Sequence, residues 1–171
     1  MDFKAKLRHV KDFPKEGIDF VDITTVLQDS EAYSCALEEM KKTIEEFGTF
    51  DLIAAPESRG FVFGSALAYM MNKGFVPIRK KGKLPYKTVD ISYELEYGTD
   101  IVEMHIDAVK SGQKVVIVDD LLATGGTTNS NIKLVERLGG KVVGIQYFIE
   151  LSSLKGREKF NGYSIKSVVK F

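Results

Sequence analysis

Short apolar runs alternate along this chain with longer segments whose apolar residues recur at helical spacing. The short runs predict strands, and the longer segments predict amphipathic helices. In the first helical segment, Ser30 is placed to cap the start and Gly48 to end the helix. The predicted strands are 51–56, 75–78, 114–118 and 141–149, and the predicted helices are 30–48, 60–74 and 126–140.

The order of these elements predicts an α/β fold. Strands that alternate with helices indicate a mostly parallel sheet with helices on both faces, and unbroken apolar strands fit burial on both sides. Ligands bind such sheets beyond the carboxyl ends of the strands. The segments after Ala55, Ile78, Val118 and Ile149 are therefore the predicted positions of a ligand-binding site.

Composition narrows the class of protein. The 171 residues suit a single domain, and a formal net charge of zero provides no overall basic field for nucleic acid or an anionic membrane. We expect neither partner, since the sequence also lacks the ~20-residue apolar run that a spanning helix needs. The lone cysteine, Cys35, cannot form an internal disulfide, which favours a reducing, cytoplasmic location.

Two adjacent acids, Asp119 and Asp120, follow the apolar run VVIV. We expect the chain to leave the sheet after Val118, so that both carboxylates lie at the ligand-binding edge. Ionised carboxylates accept hydrogen bonds and would repel a phosphate in direct contact. They suit the two hydroxyls of a sugar, and the pair therefore predicts a site for a diol.

The loop after the acids, ATGGTT, is suited to an anion. Gly125 and Gly126 allow a close backbone approach, and the next helix begins with unpaired N–H groups and the positive end of its dipole. Hydroxyl donors come from Thr124, Thr127 and Thr128. The loop lacks the lysine of a Walker P-loop and the G-x-G-x-x-G dinucleotide fingerprint. Acids and loop together fit a ribose 5-phosphate, although Asp and Gly are also ordinary turn formers.

Two further segments at the same sheet edge are suited to a diphosphate. PESRGF follows a strand, and Arg59 can hold a phosphate through its planar fork of donors. RKKGKLPYK, residues 79–87, contains five basic residues and no acid, and Gly82 and Pro85 mark it as a loop. The next stretch, TVDISYELEYG, alternates and predicts a hairpin. Solvated surface groups are the other interpretation of these cations, and their position at the sheet edge favours binding.

The stretch GIDFVDIT offers a purine contact. Phe20 presents an aromatic face, and stacking of one base on such a ring contributes ~1–3 kcal/mol. Backbone groups of Asp19 and Val21 can read the purine edge, and Leu151 can cover the other face of the base. Taken alone, Phe20 is better explained as a core residue.

These stretches follow one another as they do in a known family. VVIVDDLLATGGT resembles the phosphoribosyl diphosphate motif of the type I phosphoribosyltransferases. DFPKEGIDFVDIT, PESRGFVFG, IRKKGKLP, LEYG and ELSSLKGREK resemble, in the same order, the adenine phosphoribosyltransferases within that family. The resemblance covers the chain from about Asp12 to Phe160.

The resemblance implies the type I phosphoribosyltransferase fold. This is a single domain, 1–171, with a mostly parallel central sheet flanked by helices, a small hood from about 12–28 and the C-terminal part, and a mobile lid over about 79–100. It also implies a homodimer that converts adenine and 5-phosphoribosyl 1-diphosphate to AMP and diphosphate in purine salvage. Mg²⁺ would be held mainly through the substrate diphosphate, with few direct protein ligands. A cis peptide is expected near Glu57–Ser58.

The resemblance further implies a role for each matching residue. Glu96 would exchange a purine ring proton and act as a catalytic residue with Asp119 and Asp120, and Glu103 is a weaker candidate nearby. Taken alone, Glu96 fits a solvated charge. The ribose 5-phosphate site comprises Asp119, Asp120, Ala123, Thr124, Gly125, Gly126 and Thr127. The diphosphate site comprises Glu57, Ser58, Arg59, Arg79, Lys80, Lys83 and Tyr97. The adenine site comprises Asp19, Phe20, Val21 and Leu151.

Two other functions compete with this interpretation. Enzymes of the family that act on 6-oxopurines usually carry a lysine that donates to the exocyclic oxygen, whereas QYFIELSSL has no lysine before Lys155. A regulator that senses phosphoribosyl diphosphate and binds DNA would need a DNA-binding module. The chain reaches DFPKEG at Asp12, which leaves too little sequence for a helix-turn-helix domain, and the neutral net charge also argues against it.

Overall fold

A seven-stranded sheet forms the centre of the protein, in a computed structural model that describes residues 1–95 and 98–171. The elements in chain order are α1 (Phe3–Lys6), β1 (Arg8–Lys11), β2 (Asp19–Asp22), α2 (Thr24–Leu27), α3 (Ser30–Glu45), β3 (Leu52–Pro56), α4 (Arg59–Met70), β4 (Gly74–Lys80), β5 (Thr88–Leu95), β6 (Gly98–His105), β7 (Lys114–Leu122), α5 (Gly126–Arg137), β8 (Lys141–Glu150) and β9 (Ile165–Lys170). Two 3₁₀ turns, Ser152–Leu154 and Gly156–Lys159, lie between β8 and β9.

The strand order is β5-β6-β4-β3-β7-β8-β9. Strands β4, β3, β7, β8 and β9 are parallel to their neighbours in this series, and the β5–β6 hairpin adds antiparallel strands beyond β4. The predicted mostly parallel α/β sheet is therefore confirmed. Because β4, β3 and β7 are neighbours, the segments that follow them meet at one edge of the sheet.

The apolar run of β7 shows why these residues form a central strand. Val115, Val116, Ile117 and Val118 are all 0% exposed. Successive side chains of a strand point to opposite faces. Val116 and Val118 accordingly pack in the cluster that contains residues of α3 and α4, while the other two pack in clusters that contain residues of α5. Helices thus cover both faces, and none of the described helices is long and apolar enough to cross a membrane.

Helix boundaries differ from the sequence predictions at several ends, and α3 ends at Glu45 and α5 at Arg137, each three residues before the predicted end. Asp29 caps α3, because its Oδ1 accepts hydrogen bonds from the N–H groups of Glu31 (3.1 Å) and Ala32 (3.0 Å); the predicted cap, Ser30, is already inside the helix. Helix α4 ends at Met70, and Gly74 begins β4 instead of ending the helix.

An N-terminal hairpin, which the sequence analysis did not predict, packs beside the sheet. Strands β1 and β2 pair antiparallel, with Arg8 opposite Asp22. Val21 of β2 is 3% exposed and lies in the main hydrophobic cluster with Phe148 of β8. This packing holds β2, which carries the predicted purine contacts, against the body of the protein.

Glu150, the last residue of β8, anchors the C-terminal part. Its carboxylate accepts two hydrogen bonds from Arg157, from Nε to Oε1 at 2.9 Å and from Nη2 to Oε2 at 2.5 Å. Ser167 Oγ donates a third at 2.6 Å, and Arg157 Nη1 donates to the Ile165 carbonyl at 2.8 Å. The hydrogen bonds from Arg157 lower the pKa of Glu150 below its usual range, and the Ser167 hydroxyl acts in the same direction.

This ion pair should make the free energy of unfolding depend on pH in the acid range. Because the pKa of Glu150 is lower in the folded protein than its unfolded value of ~4.3, its contribution is present above that pH and is lost as the pH falls further. Replacing Glu150 by Gln should cost about 1–2 kcal/mol at neutral pH, a value reduced because Arg157 is partly exposed. Urea unfolding at neutral and acid pH measures both effects.

Glu39→Gln is the matched control, since Glu39 is exposed and paired with Lys42 on the surface of α3. It should follow the wild-type pH dependence. A Glu150→Gln variant that loses as much stability in acid as the wild type would contradict the role of this pair.

Candidate active site

The two predicted diol-binding acids lie inside the sheet. Strand β7 continues to Leu122, and Asp119 stands opposite Tyr147 of β8, so the prediction that the chain leaves the sheet after Val118 was wrong. The strand is longer because Leu122 still pairs with β8, at Glu150. Asp120 is 4% exposed. The pair is therefore held by the sheet rather than by a loop.

Burial changes the acidity of this pair. Burial raises the pKa of Asp119 well above its usual range, and the negative charge of Asp120 raises it further. Burial also raises the pKa of Asp120, while the guanidinium of Arg59 acts in the opposite direction. Asp119 Oδ1 accepts a hydrogen bond of 2.9 Å from the backbone N–H of Asp120. Burial therefore favours the neutral form of both carboxylates.

Arg59, the first residue of α4, lies between the acid pair and the N-terminal hairpin. Its Nε is 2.8 Å from Oδ2 of Asp120, and its guanidinium carbon is 5.0 Å from the centre of the Phe20 ring. Hydrogen bonds from Thr24 lower the pKa of Asp22, and the charge of Arg59 contributes to the same shift. Arg59 therefore joins the predicted purine contact to the predicted diol site.

The turn between β3 and α4 carries the predicted diphosphate contacts. The Glu57–Ser58 peptide is cis, which confirms that expectation. Ser58 is exposed at the start of α4, where a helix has unpaired N–H groups and the positive end of its dipole. Glu57 Oε1 accepts a hydrogen bond from the backbone N–H of Lys80 (2.6 Å) and lies 3.3 Å from Arg79 Nε. Its carboxylate thus joins this turn to β4.

The basic segment begins inside a strand. Arg79 and Lys80 are the last residues of β4 and pair with β6, whereas the sequence analysis predicted a loop from residue 79. The difference arises because β6 supplies hydrogen-bond partners from a distant part of the chain. Lys80 Nζ lies 3.0 Å from Asp100 Oδ2. Lys83 is exposed in the loop that follows.

A buried carboxylate lies beneath that loop. Glu103 of β6 is 4% exposed. Its Oε1 accepts hydrogen bonds from three consecutive backbone N–H groups, those of Gly82 (3.0 Å), Lys83 (3.1 Å) and Leu84 (3.1 Å). From the sequence alone, Glu103 is only a weaker alternative to Glu96. Its contacts come from long-range packing, which leaves no local signal in an alternating strand.

The predicted phosphate loop lies at the N-terminus of α5. Gly125 occupies the cap position with φ of +82°, a conformation that favours glycine. Ala123 and Thr127 are half-buried, Thr124 is exposed, and the position where a side chain would begin on Gly126 has nothing within 4 Å. Unpaired N–H groups, the helix dipole and this open space make the helix start suitable for a phosphate.

The other side of the phosphate loop packs against the C-terminal part. A Cβ on Gly125 would lie 2.6 Å from the Phe160 ring, and a Cβ on Gly156 would lie 2.1 Å from the carbonyl oxygen of Ala123. The motif ELSSLKGREK, noticed at first only for its resemblance, therefore supports the loop. The sequence contained this signal as two glycines and an aromatic residue, but nothing local indicated what they contact.

Tyr147 supports the start of α5. Its hydroxyl lies 2.5 Å from Thr128 Oγ1 in the core, and both residues are buried. Thr128 was expected to offer its hydroxyl to a phosphate, and the structure instead directs that hydroxyl to Tyr147. Burial raises the pKa of Tyr147, which keeps the phenol neutral as a hydrogen-bond partner.

The predicted purine contacts come from β2 and the segment after β8. Phe20 is half-buried beside Arg59, and Asp19 is exposed. The side chain of Val21 is committed to the core, so its backbone groups are what it can offer a ligand. Leu151 is half-buried, and its N–H donates to the Leu122 carbonyl at the end of β7 (2.9 Å).

Two predicted site residues, Glu96 and Tyr97, lie outside the described residues. They fall between β5 and β6, and the pairing of these strands confirms the hairpin predicted from TVDISYELEYG.

Comparison with known proteins identifies the family. The phosphoribosyl transferase domain matches residues 26–171. The adenine phosphoribosyltransferase of Acetivibrio thermocellus is 69% identical over 171 residues, which cover 100% of both chains. The crystal structure of that of Thermoanaerobacter pseudethanolicus has a TM-score of 0.95 and 57% identity, covering 98% of this chain and 97% of the other. That of Saccharomyces cerevisiae, complexed with an imino-altritol bisphosphate and adenine, has a TM-score of 0.92 and 38% identity, covering 96% and 95%. This chain therefore belongs to the adenine phosphoribosyltransferases, within the family that shares the phosphoribosyl transferase domain.

Proposed function

We propose that this protein transfers ribose 5-phosphate from 5-phosphoribosyl 1-diphosphate to adenine, forming AMP and diphosphate in purine salvage. One observation carries the proposal: the Asp119–Asp120 pair lies beside the turn at Glu57–Arg59, with Arg59 Nε 2.8 Å from Asp120 Oδ2, and the phosphate loop, 123–127, follows the pair along the chain. The substrate has the same order of groups, a phosphate and a diphosphate on either side of a diol. Relatives at 69% and 57% identity are named for this activity.

The reaction exchanges one bond at C1′ of the ribose. Adenine N9 attacks C1′ while the C1′–O bond to diphosphate breaks, and the bonding electrons leave with the diphosphate. Positive charge develops on the sugar ring, and negative charge grows on the leaving group. Asp119 and Asp120 accept hydrogen bonds from the ribose hydroxyls and stabilise the positive charge on the sugar ring. The cations of Arg59, Lys80 and Lys83 stabilise the negative charge on the diphosphate. Arg79, Ser58, Glu57 and Tyr97 complete the proposed diphosphate site.

The purine is proposed to lie between Phe20 and Leu151, with its edge against the backbone of Asp19 and Val21. The contact between Phe20 and the Arg59 guanidinium supports this position, because it brings the stacking face next to the diphosphate turn. Glu96 is proposed to exchange the proton at purine N7, and a carboxylate shielded from water would have a raised pKa suited to that transfer.

We also propose that Mg²⁺ takes part, held mainly by the substrate. Among the described residues, no group of three or more His, Cys, Asp and Glu side chains surrounds a common point. Buried Oδ2 of Asp120 accepts no hydrogen bond within that part of the chain, although Arg59 Nε is close. The acid pair therefore fits a hydrated cation, and Mg²⁺ characteristically keeps waters and uses one or two carboxylates with substrate phosphates. When bound, Mg²⁺ neutralises charge on the diphosphate.

A homodimer and a cytoplasmic location belong to the proposal as well. The homodimer rests on the family resemblance. The location rests on the single cysteine, Cys35, which is free.

The direct test is product formation with different bases. The protein with Mg²⁺, phosphoribosyl diphosphate and adenine should yield AMP, and hypoxanthine or xanthine should react at least about a hundredfold more slowly. Asp120→Asn should lower kcat/KM by about a hundredfold or more, because it removes charge that stabilises the transition state. Glu39→Gln is the surface control. Faster turnover of hypoxanthine would support a 6-oxopurine enzyme, and DNA binding without AMP formation would support the regulator.

The pH dependence of kcat/KM for phosphoribosyl diphosphate should report the raised pKa of Asp119. The ionised carboxylate is the form that stabilises the transition state. Because the pKa lies above its usual ~3.9, activity should decline as the pH falls through the raised value. In Asp119→Asn only Asp120 of the coupled pair remains to titrate, so the acid limb should shift and the plateau should be lower. Initial rates at saturating adenine measure the profile, and an acid limb unchanged in the variant would rule out this assignment.

The two loop glycines should respond differently to alanine. Gly125→Ala places a Cβ 2.6 Å from Phe160 at a positive φ, which costs about 1–2 kcal/mol for the backbone alone, so it should lower the melting temperature and weaken ribose 5-phosphate binding. Gly126→Ala meets open space inside a helix and should preserve stability. Thermal melts and calorimetric titration compare the two variants. Equal destabilisation would show that the packing of Phe160 is unimportant.

A further inference from the structure

We propose that Glu103 is a positioning residue for diphosphate binding, whose buried carboxylate fixes the basic loop, residues 81–87, so that Lys83 faces the leaving group. The proposal rests on the proposed function, because it concerns the diphosphate end of that substrate. It goes beyond it by assigning a role to a carboxylate that has no contact with the reacting atoms.

The geometry is that of a backbone anion site occupied by the protein's own carboxylate. Three successive N–H groups, from Gly82 to Leu84, converge on Oε1 of Glu103 at 3.0–3.1 Å. Successive N–H groups that point into one concavity bind anions. Gly82 has φ of +82°, a conformation that glycine adopts without strain. The other oxygen, Oε2, accepts a hydrogen bond from Thr88 Oγ1 at 3.2 Å, which fixes the carboxylate itself.

The loop needs such an organiser because its own side chains are in solvent. Lys81, Lys83 and Lys87 are exposed, and like charges on neighbouring positions repel one another. Glu103 is buried, so its charge-assisted hydrogen bonds to the backbone are poorly screened and stronger than neutral ones. Arg79 Nη1 donates to the Lys83 carbonyl at 3.1 Å. The N–H and the carbonyl group of Lys83 are therefore both hydrogen-bonded, so its side chain extends from a fixed backbone position.

A second acid on the same hairpin provides the comparison. Asp90 of β5 stands opposite Glu103 in the strand register, and its Oδ2 lies 2.8 Å from Lys81 Nζ at the surface. The carboxylate of Asp90 pairs with the exposed side chain of Lys81. The three loop N–H groups donate to Glu103 instead. Removing Asp90 therefore removes a negative charge near the basic loop without removing the support of its backbone.

Positioning and simple electrostatics predict opposite signs for Glu103. If Glu103 acted only as a negative charge near an anion site, its replacement by Gln would strengthen diphosphate binding. If it holds the loop, the same replacement weakens binding, because a neutral amide oxygen is a poorer acceptor for three N–H groups and the amide NH₂ offers them no acceptor.

The experiment titrates Glu103→Gln, Asp90→Asn and wild-type protein with inorganic diphosphate and Mg²⁺, and separately with ribose 5-phosphate. We expect Glu103→Gln to weaken diphosphate binding about tenfold, the order expected for losing charge-assisted hydrogen bonds. The KM for phosphoribosyl diphosphate should rise in proportion, while the KM for adenine and the Kd for ribose 5-phosphate stay within about twofold. Asp90→Asn should leave diphosphate affinity unchanged or slightly higher.

Unchanged or tighter diphosphate binding in Glu103→Gln would overturn the proposal. So would an equal loss of diphosphate and ribose 5-phosphate binding, which indicates general damage to the fold. If Glu103→Gln does not fold, Thr88→Val decides, since it removes the hydroxyl that fixes Oε2: weaker binding of diphosphate alone supports the proposal, and no change rejects it. Absence of AMP formation by the wild type would reject the proposed function, whereas these titrations test Glu103 independently of turnover.

Discussion

The rest of the site depends on two carboxylates held where water cannot solvate them fully. Burying an ionised carboxylate is costly unless hydrogen bonds and opposite charge compensate it. In β7 the compensation for Asp120 comes from Arg59, and Asp119 accepts a backbone N–H bond. The cation that balances this pair is the same group that reaches the Phe20 ring. Because Arg59 compensates the buried acids and also contacts Phe20, it brings the proposed purine contact next to the proposed diphosphate turn.

Carboxylates also hold the parts of the site that are proposed to bind phosphate groups. Glu57 joins the diphosphate turn to β4, and Glu103 organises the loop beyond that strand. Glu150 anchors Arg157 in the segment that packs under the phosphate loop. The three acids contact backbone or arginine and leave the anion-binding N–H groups at the helix starts for a ligand. Carboxylates of the protein thus fix, through hydrogen bonds, the segments that are proposed to bind a highly charged anion.

Much of the central sheet could be predicted from local sequence, because strands buried on both faces are written as continuous apolar runs. Val115 to Val118 are the clear case. The predictions that failed concern residues whose strand partners are distant in sequence. Asp119 and Asp120 are typical turn residues, but they belong to β7, which pairs with β8. Arg79 lies in a basic segment typical of a loop, but it pairs with β6. Strand β1 is short and largely exposed, and β2 has four residues of which one, Val21, is buried, so neither shows an extended apolar pattern.

The same reasoning applies to the site. The acid pair, the loop glycines and Arg59 could be proposed as site residues from the sequence, because each proposed chemistry needs a short motif. The supports were not recognisable, since Tyr147, Glu103 and Phe160 act through contacts with residues far away in sequence. Asp29 and Ser30 are equally good helix caps by type, and the position of Asp29 one residue before the helix decided between them.

The joint between β4 and β6 has a mechanical consequence. In the described part of the chain it consists of two residue pairs, and one of them is Arg79 with Glu103. The proposed ribose and 5′-phosphate contacts lie on β7 and at the start of α5. The hairpin is also held by α5, because Arg137 Nη1 donates to the Asp90 carbonyl at 3.0 Å, and Leu134 and Val135 share a hydrophobic cluster with Val102 and Met104. Helix α5 therefore couples the proposed diphosphate contacts beyond β4 to the proposed 5′-phosphate contacts at its own N-terminus.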